Sequence, residues 1–459
     1  MTRSTCFLPA LVVALVACGN ESSNDGAAGS GGAAGSGGAS SVPLIAQALE
    51  GKCPGGDPPG TGVAPGNELR KVTLSAYPDA LCNDGSPAIM YVRAAANAAA
   101  ADRWVIHLQP GGGCGSWQEC SDRWCSFETS FDAAKMSSTY APDATIASGL
   151  FARNAANGFG AANQVYVYYC SSDTHRGRKR DVVLDDPAGV GPSFRLHFQG
   201  FRVVEAVNDA LKKGVSSDDG KEKLPPLASA KQILFSGSSA GSVGQTGLLD
   251  WWAEQFPNAK VAGLFDSFTD PLPEDVANPT IAAAYALGQK QTYANVLVAL
   301  HDSFMDQSCV AAHPGADAHL CGLSGHVRLN HITTPFFVRQ DLTDPAQFNY
   351  FSPSGATLGQ FADAVRATML RFQTIQQSSE ETVATAPGVH VSNCGQHIVL
   401  LNNPWFGVAA QKNATVADPS GTPLTLHDAL RDWALGTPVA AIDTQPSSKS
   451  SCVATTGEQ

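Results

Sequence analysis

A chain of 459 residues, 43% hydrophobic and only 15% charged, is long enough for one large α/β domain or two ordinary ones. A formal net charge of −12 argues against nucleic acid and an anionic membrane surface as electrostatic partners.

The first element is a leader. Arg3 supplies a positive start, and Cys6 to Val16 is an apolar stretch too short to span a bilayer. It ends in Leu15-Val16-Ala17-Cys18, which looks like a bacterial lipobox, with the Cys18 thiol placed to take a diacylglyceryl group. From Gly19 to Ser41 the chain is nearly all Gly, Ala, Ser and Asn, a composition that buries no core and reads as a flexible tether. The expected organisation is a lipoprotein signal peptide over 1–18, a linker over 19–41 and one folded domain over 42–459. Such a protein is exported and lipid-anchored to the bacterial cell envelope, and it meets the membrane only through its anchor.

Beyond the tether, β-like runs alternate with amphipathic stretches, the pattern of a mostly parallel sheet flanked by helices. The clearest strands are Trp104 to Leu108, Gln164 to Tyr169, Gln232 to Ser236, Val261 to Phe265 and Pro335 to Gln340. Helical spacing runs through Phe201 to Lys213, with Val203, Val204, Val207 and Leu211 on one side. A second helix is expected from Ala240 to about Phe256, closed by Pro257.

Two motifs carry chemistry. After the first of those strands comes Gln109-Pro110-Gly111-Gly112-Gly113-Cys114, a glycine loop whose freed N–H groups suit an oxyanion. No Gly-Lys-Ser/Thr follows it and its spacing is not G-x-G-x-x-G, so it is not a phosphate loop. Between the Gln232 strand and the Ala240 helix stands Gly237-Ser238-Ser239-Ala240-Gly241, the G-x-S-x-G nucleophile elbow in its strand–turn–helix context. It nominates Ser239 as a nucleophile; the bland alternative is a small-residue turn with Ser238 or Ser239 as a helix N-cap. Pro110 has no N–H, so the oxyanion donors nominated are Gly111, Gly112 and Ala240.

Of twelve cysteines, Cys6 goes with the leader and Cys18 with lipid, leaving an even ten that read as disulfides in an exported protein. Cys120 and Cys125 are close enough to suggest zinc, but no second pair of soft ligands follows at finger spacing, and no metal site is expected.

Several strings then stand together in one order: Cys82-Asn83-Asp84-Gly85-Ser86-Pro87-Ala88, His107-Leu108 with the glycine loop to Cys114, Tyr169-Cys170-Ser171-Ser172-Asp173, and the elbow. In this they resemble the pectin acetylesterase and Notum carboxylesterase family, over roughly Glu68 to Cys452. The resemblance implies an α/β-hydrolase-like fold, no cofactor, and hydrolysis of an O-acyl ester by a Ser-His-Asp triad. It nominates Asp344, in the Asp344-Pro345-Ala346-Gln347 segment, as the acid, and His397, in Cys394-Gly395-Gln396-His397, as the base. Asp341 competes for the acid role and His175 for the base; Asp266 reads as structural or pocket-lining. The resemblance also implies disulfides Cys82–Cys170 and Cys394–Cys452. Cys309–Cys321 is a local pairing, and Cys53, Cys114, Cys120 and Cys125 stay open. The family usually carries an acid and a glycine where this chain has Gln109 and Pro110. Its aromatic near the loop cysteine is here Gly113, an absence that would widen or reshape the acyl pocket.

The function expected is removal of acetyl or similar short acyl groups from extracellular polysaccharide by a monomer. Its rivals are a carboxylesterase for longer acyl chains and a non-catalytic surface binding protein on a hydrolase scaffold.

Overall fold

The computed structural model describes residues 68–125, 135–154, 157–191, 193–378, 386–401, 415–417 and 420–446. The leader, Cys18 and the tether lie outside them. In chain order the first strands are β1 (Glu68–Thr73), β2 (Ile89–Arg93), β3 (Arg103–Leu108), β4 (Ala144–Ile146) and β5 (Asn163–Val167). A hairpin of β6 (Lys179–Leu184) and β7 (Phe194–Phe198) and a ribbon of β8 (Val215–Ser216) and β9 (Lys223–Leu224) follow. Then come β10 (Gln232–Ser238), β11 (Lys260–Asp266), β12 (Phe336–Asp341) and β13 (Gly388–Ser392). A last ribbon, β14 (Thr415–Ala417) with β15 (Pro423–Thr425), precedes β16 (Ala440–Ile442).

Ten of these strands make one sheet in the order β16-β13-β12-β11-β10-β3-β5-β2-β1-β4. From β16 to β5 every neighbouring pair is parallel. The β5–β2, β2–β1 and β1–β4 pairs are antiparallel and form a side wing. This is an α/β-hydrolase-like architecture, a mostly parallel central sheet flanked by helices, as the alternating pattern implied.

The central strands are apolar on both faces because helices cover both. Ile106, Phe235, Phe265 and Val338 share a core with Val204 and Val207 of the Gly200–Lys213 helix and Leu248 and Trp252 of the Ala240–Glu254 helix. Their immediate neighbours Val105, Leu234, Leu264 and Phe337 face the opposite core, with Leu426 and Leu430 of the Leu426–Ala434 helix. Trp252 stacks on Phe235 at 4.6 Å, fixing the Ala240–Glu254 helix over β10. That helix begins one residue after Ser239, so its packing also fixes the elbow.

Expected strand ends shift for local reasons. The expected Gln164 to Tyr169 strand stops at Val167, and the Tyr169 N–H goes instead to the Gln109 side chain at 2.7 Å. β10 runs on to Ser238, whose partner in the ladder is Asp266. The side wing, β13, β16 and the long Leu358–Ser378 helix carry weaker patterns and were not among the expected elements. No helix among the described residues is long and apolar enough to cross a membrane.

Candidate active site

The elbow is built by close approach. A Cβ on Gly241 would lie 2.1 Å from the Leu108 carbonyl oxygen, and one on Gly237 would lie 2.4 Å from Gly241 itself, so both positions must be glycine. Between them Ser239 takes φ 52°, ψ −119°, a left-handed conformation that costs a non-glycine residue about 1–3 kcal/mol. Its backbone N–H donates to the Asp266 carbonyl at 2.9 Å, which holds the turn against that strain. The Ser239 side chain does not cap the helix it precedes. Its Oγ lies 2.7 Å from His397 Nε2, and His397 Nδ1 lies 2.8 and 2.9 Å from the two oxygens of Asp344. Asp344 is itself the N-cap of the Pro345–Phe351 helix, accepting from Gln347 N–H at 3.0 Å, and is wholly buried. One carboxylate therefore starts a helix and orients an imidazole.

His397 sits on an irregular segment after β13, and that segment is gripped along its length. Asp341 accepts from the N–H groups of Cys394 and Gly395 at 2.9 and 3.0 Å. Arg339 donates to the carbonyl oxygens of His397 and Gln396 at 2.8 and 3.1 Å. Asp266 accepts from Val399 and Leu400 N–H at 3.0 and 3.1 Å, and from Ser238 Oγ at 2.7 Å. Arg339 lies between the two acids, 3.4 Å from Asp266 and 3.6 Å from Asp341. Asp341, the competing acid of the sequence reading, is thus turned toward backbone N–H groups, and Asp266 is structural. Arg339 was not singled out from the sequence. Its one signal was a cation inside the apolar string Phe336-Phe337-Val338-Arg339.

The glycine loop follows β3, whose Leu108 pairs with Gly237 of the elbow strand. Gly112 has φ 62°, a conformation that favours glycine. The N–H groups of Gly111, Gly112 and Ala240 have no acceptor among the described residues, and Ala240 opens its helix, where the dipole favours an anion. Tyr169 braces the loop: its hydroxyl donates to the Gly112 carbonyl at 2.6 Å and accepts from Thr174 N–H at 2.7 Å. His175, the second choice for a base, is stacked on Tyr169 at 4.5 Å and donates from Nε2 to the Gln109 carbonyl at 2.9 Å. Burial holds it down at about 4, so it is a neutral brace at neutral pH. A Cβ at Gly113 would lie 2.9 Å from the Ser172 carbonyl, so the missing aromatic leaves no open space in that direction. The expected widening of the pocket is not found on this side.

A family model described as pectinacetylesterase matches residues 67–453. The chain belongs to the pectinacetylesterase family. With that it is a carboxylic ester hydrolase. It is 24% identical to the human palmitoleoyl-protein carboxylesterase NOTUM over 396 residues, 83% of this chain and 72% of that one. It is 25% identical to pectin acetylesterase 11 of Arabidopsis thaliana over 337 residues, 69% and 76% of the two chains. The structure of the Wnt deacylase Notum from Drosophila superposes with a TM-score of 0.59 at 20% identity, covering 83% of this chain and 97% of that one, a likeness of fold.

In this pectinacetylesterase-family chain the cysteines pair Cys82–Cys170, Cys309–Cys321 and Cys114–Cys120. The last was open in the sequence. It ties the end of the glycine loop to the Trp117–Cys125 helix and removes Cys120 as a zinc ligand. Cys394 is disulfide-bonded, while Cys452, its expected partner, lies outside the described residues, as does Cys53.

The two neighbouring acids should separate kinetically. Asp344→Asn is expected to lower kcat on a p-nitrophenyl ester by roughly 10⁴. Asp341→Asn, which only loosens the His397 segment, should cost about 10- to 100-fold, with KM little changed. The reverse order of severity would make Asp341 the orienting acid.

Proposed function

We propose that Ser239, His397 and Asp344 act as a catalytic triad that removes short O-acyl groups, chiefly acetyl, from extracellular polysaccharide. The observation that carries this reading is the relay of Ser239 Oγ, His397 Nε2 and Nδ1, and the Asp344 carboxylate, with contacts of 2.7 to 2.9 Å. As Oγ attacks the ester carbonyl carbon, His397 Nε2 takes its proton, and Asp344 stabilises the imidazolium. The tetrahedral oxyanion is received by the N–H groups of Gly111, Gly112 and Ala240, each such donor worth about 2.7–4 kcal/mol. Collapse breaks the bond to the alcohol oxygen, which leaves with the proton from His397. Water, deprotonated by His397, then attacks acyl-Ser239, releasing the carboxylate and restoring the serine.

The acetyl reading draws support from the family's description and from the name of the Arabidopsis relative. A polymer substrate is supported by Tyr350, 60% exposed and edge-on to Phe268 at 5.2 Å. Phe268 in turn flanks the His397 ring at 6.2 Å. An exposed aromatic ring, one ring removed from the base, offers a stacking face to a sugar. The longer-chain reading is favoured by the animal relatives named as palmitoleoyl-protein carboxylesterases. Export on a lipid anchor at Cys18, with the 19–41 tether holding a monomeric esterase off the envelope, completes the proposal. Several acyl chains, at about 0.8 kcal/mol per buried methylene, would make that anchorage stable.

Hydrolysis of p-nitrophenyl esters from acetate to palmitate, beside acetate release from acetylated pectin and xylan, tests the substrate. The proposal expects the highest kcat/KM at acetate and measurable release from at least one polymer. A maximum at palmitate with no polymer deacetylation would select the long-chain reading. For the anchor, mass spectrometry of the mature N-terminus should find a diacylglyceryl-modified Cys18; an unlipidated N-terminus further along the chain would overturn it.

A further inference from the structure

On the Asp306 to His331 segment, away from the triad residues in sequence, the described residues contain a second imidazole cluster. His313 ends the Gln307–Ala312 helix, His326 lies on the Ser324–Asn330 helix, and His331 follows that helix directly. Their rings meet pairwise at 4.9, 5.2 and 5.3 Å. His326 Nε2 and His313 Nε2 face each other at 3.1 Å. One ring nitrogen of each histidine, together with Cys309 Sγ, falls within a group whose members are all within 4.8 Å of one another.

The tautomer of His331 follows from its neighbours. Ser308 Oγ gives its proton to Asp306 at 2.7 Å, so it accepts from His331 Nδ1–H at 3.3 Å. His331 Nε2 is then a bare lone pair, and it is buried with no hydrogen-bond partner among the described residues. A hydroxyl backed by a carboxylate, orienting one ring nitrogen so that the other presents its lone pair, is the outer arrangement of a metal-bound histidine.

We infer that His313, His326 and His331 form a binding site for a divalent transition-metal ion, with Zn2+ the best fit to the ligand chemistry. Three imidazole nitrogens suit zinc, copper or nickel rather than the hard cations. Tetrahedral zinc with Zn–N bonds of about 2.0–2.1 Å sets its nitrogens about 3.3 Å apart, close to the spacing of the facing pair. Cys309 is joined to Cys321, so its sulfur is not a thiolate and the fourth position is left to water.

The place of the site suggests what the ion does. The same short helix carries Arg328, whose guanidinium donates to Ser242 O and Ser242 Oγ at 3.1 and 3.0 Å and covers the Phe265 ring at 4.1 Å. A bound ion would clamp the Gln307–Ala312 helix to the helix that buttresses the start of the Ala240–Glu254 helix. The role is structural and independent of whether the triad reading is right.

The test is calorimetric titration of EDTA-treated, disulfide-intact protein with Zn2+, with the thermal unfolding midpoint recorded at each end. One equivalent should bind, and the midpoint should rise and fall back when EDTA is added. His326→Gln and, separately, His313→Gln should each weaken binding by roughly tenfold or more, while His397→Ala should leave it unchanged. Each variant's metal-free unfolding transition establishes that it is folded, and either one suffices. No stoichiometric binding by the wild-type protein would overturn the inference. So would binding that survives in a folded His326→Gln or His313→Gln protein, or binding that is lost with His397.

Discussion

One guanidinium, that of Arg339, holds the candidate site together. It lies 2% exposed at the end of β12, in register with Asp266 of β11, and lies between Asp266 and Asp341. Three charges out of water are costly unless nearly every donor and acceptor is used. Here the acids turn their remaining lone pairs to Ser238, Thr343, Ser392 and the N–H groups of Cys394, Gly395, Val399 and Leu400, while Arg339 holds the Gln396 and His397 carbonyls. The irregular segment from Cys394 to Leu400 is thereby fixed from both ends. Removing one partner would strand a buried charge, at about 3–5 kcal/mol. An imidazole that must stay within hydrogen-bond reach of a serine gains its precision from this cluster rather than from any helix or strand of its own.

The sheet explains why these groups meet. β10, β11, β12 and β13 are adjacent and parallel, so their carboxyl ends open on one edge of the sheet. Ser239 follows β10, Asp266 ends β11, Asp344 follows β12 and His397 follows β13. In open α/β sheets that edge is where ligands bind. β3, on the other side of β10, delivers the glycine loop to the same edge. The antiparallel wing of β1, β2 and β4 contributes none of these residues, but the disulfide Cys82–Cys170 joins it to the segment that carries Tyr169.

Much of this was legible in the sequence where the signal is local. The elbow needs two glycines and a serine between a strand and a helix, all within a few residues, and the central strands show as unbroken apolar runs. The acids at strand ends were separated only by the family resemblance, which put Asp344 ahead of Asp341, and not by any local pattern. Asp341 and Asp344 are three residues apart, and only the turn after β12 decides that one faces backbone N–H groups and the other His397. Arg339, Tyr169 and His175 act through contacts 57 to 66 residues away in sequence, such as Tyr169 with Gly112, Arg339 with Gln396 and His175 with Gln109. No spacing rule reaches across such gaps. What surrounds Gly113 was hidden for the same reason, since the Ser172 carbonyl that a Cβ there would meet at 2.9 Å is distant in the chain.

The central claim is that Ser239 is acylated during turnover, and direct trapping of that intermediate tests it best. Mixing the enzyme with excess p-nitrophenyl acetate, quenching in acid within one turnover and mapping the peptides by mass should place a single acetyl group on Ser239. A matching burst of p-nitrophenol should accompany it. An acetyl group on Ser238 or any other residue, or turnover with no acylated peptide at all, would contradict the account.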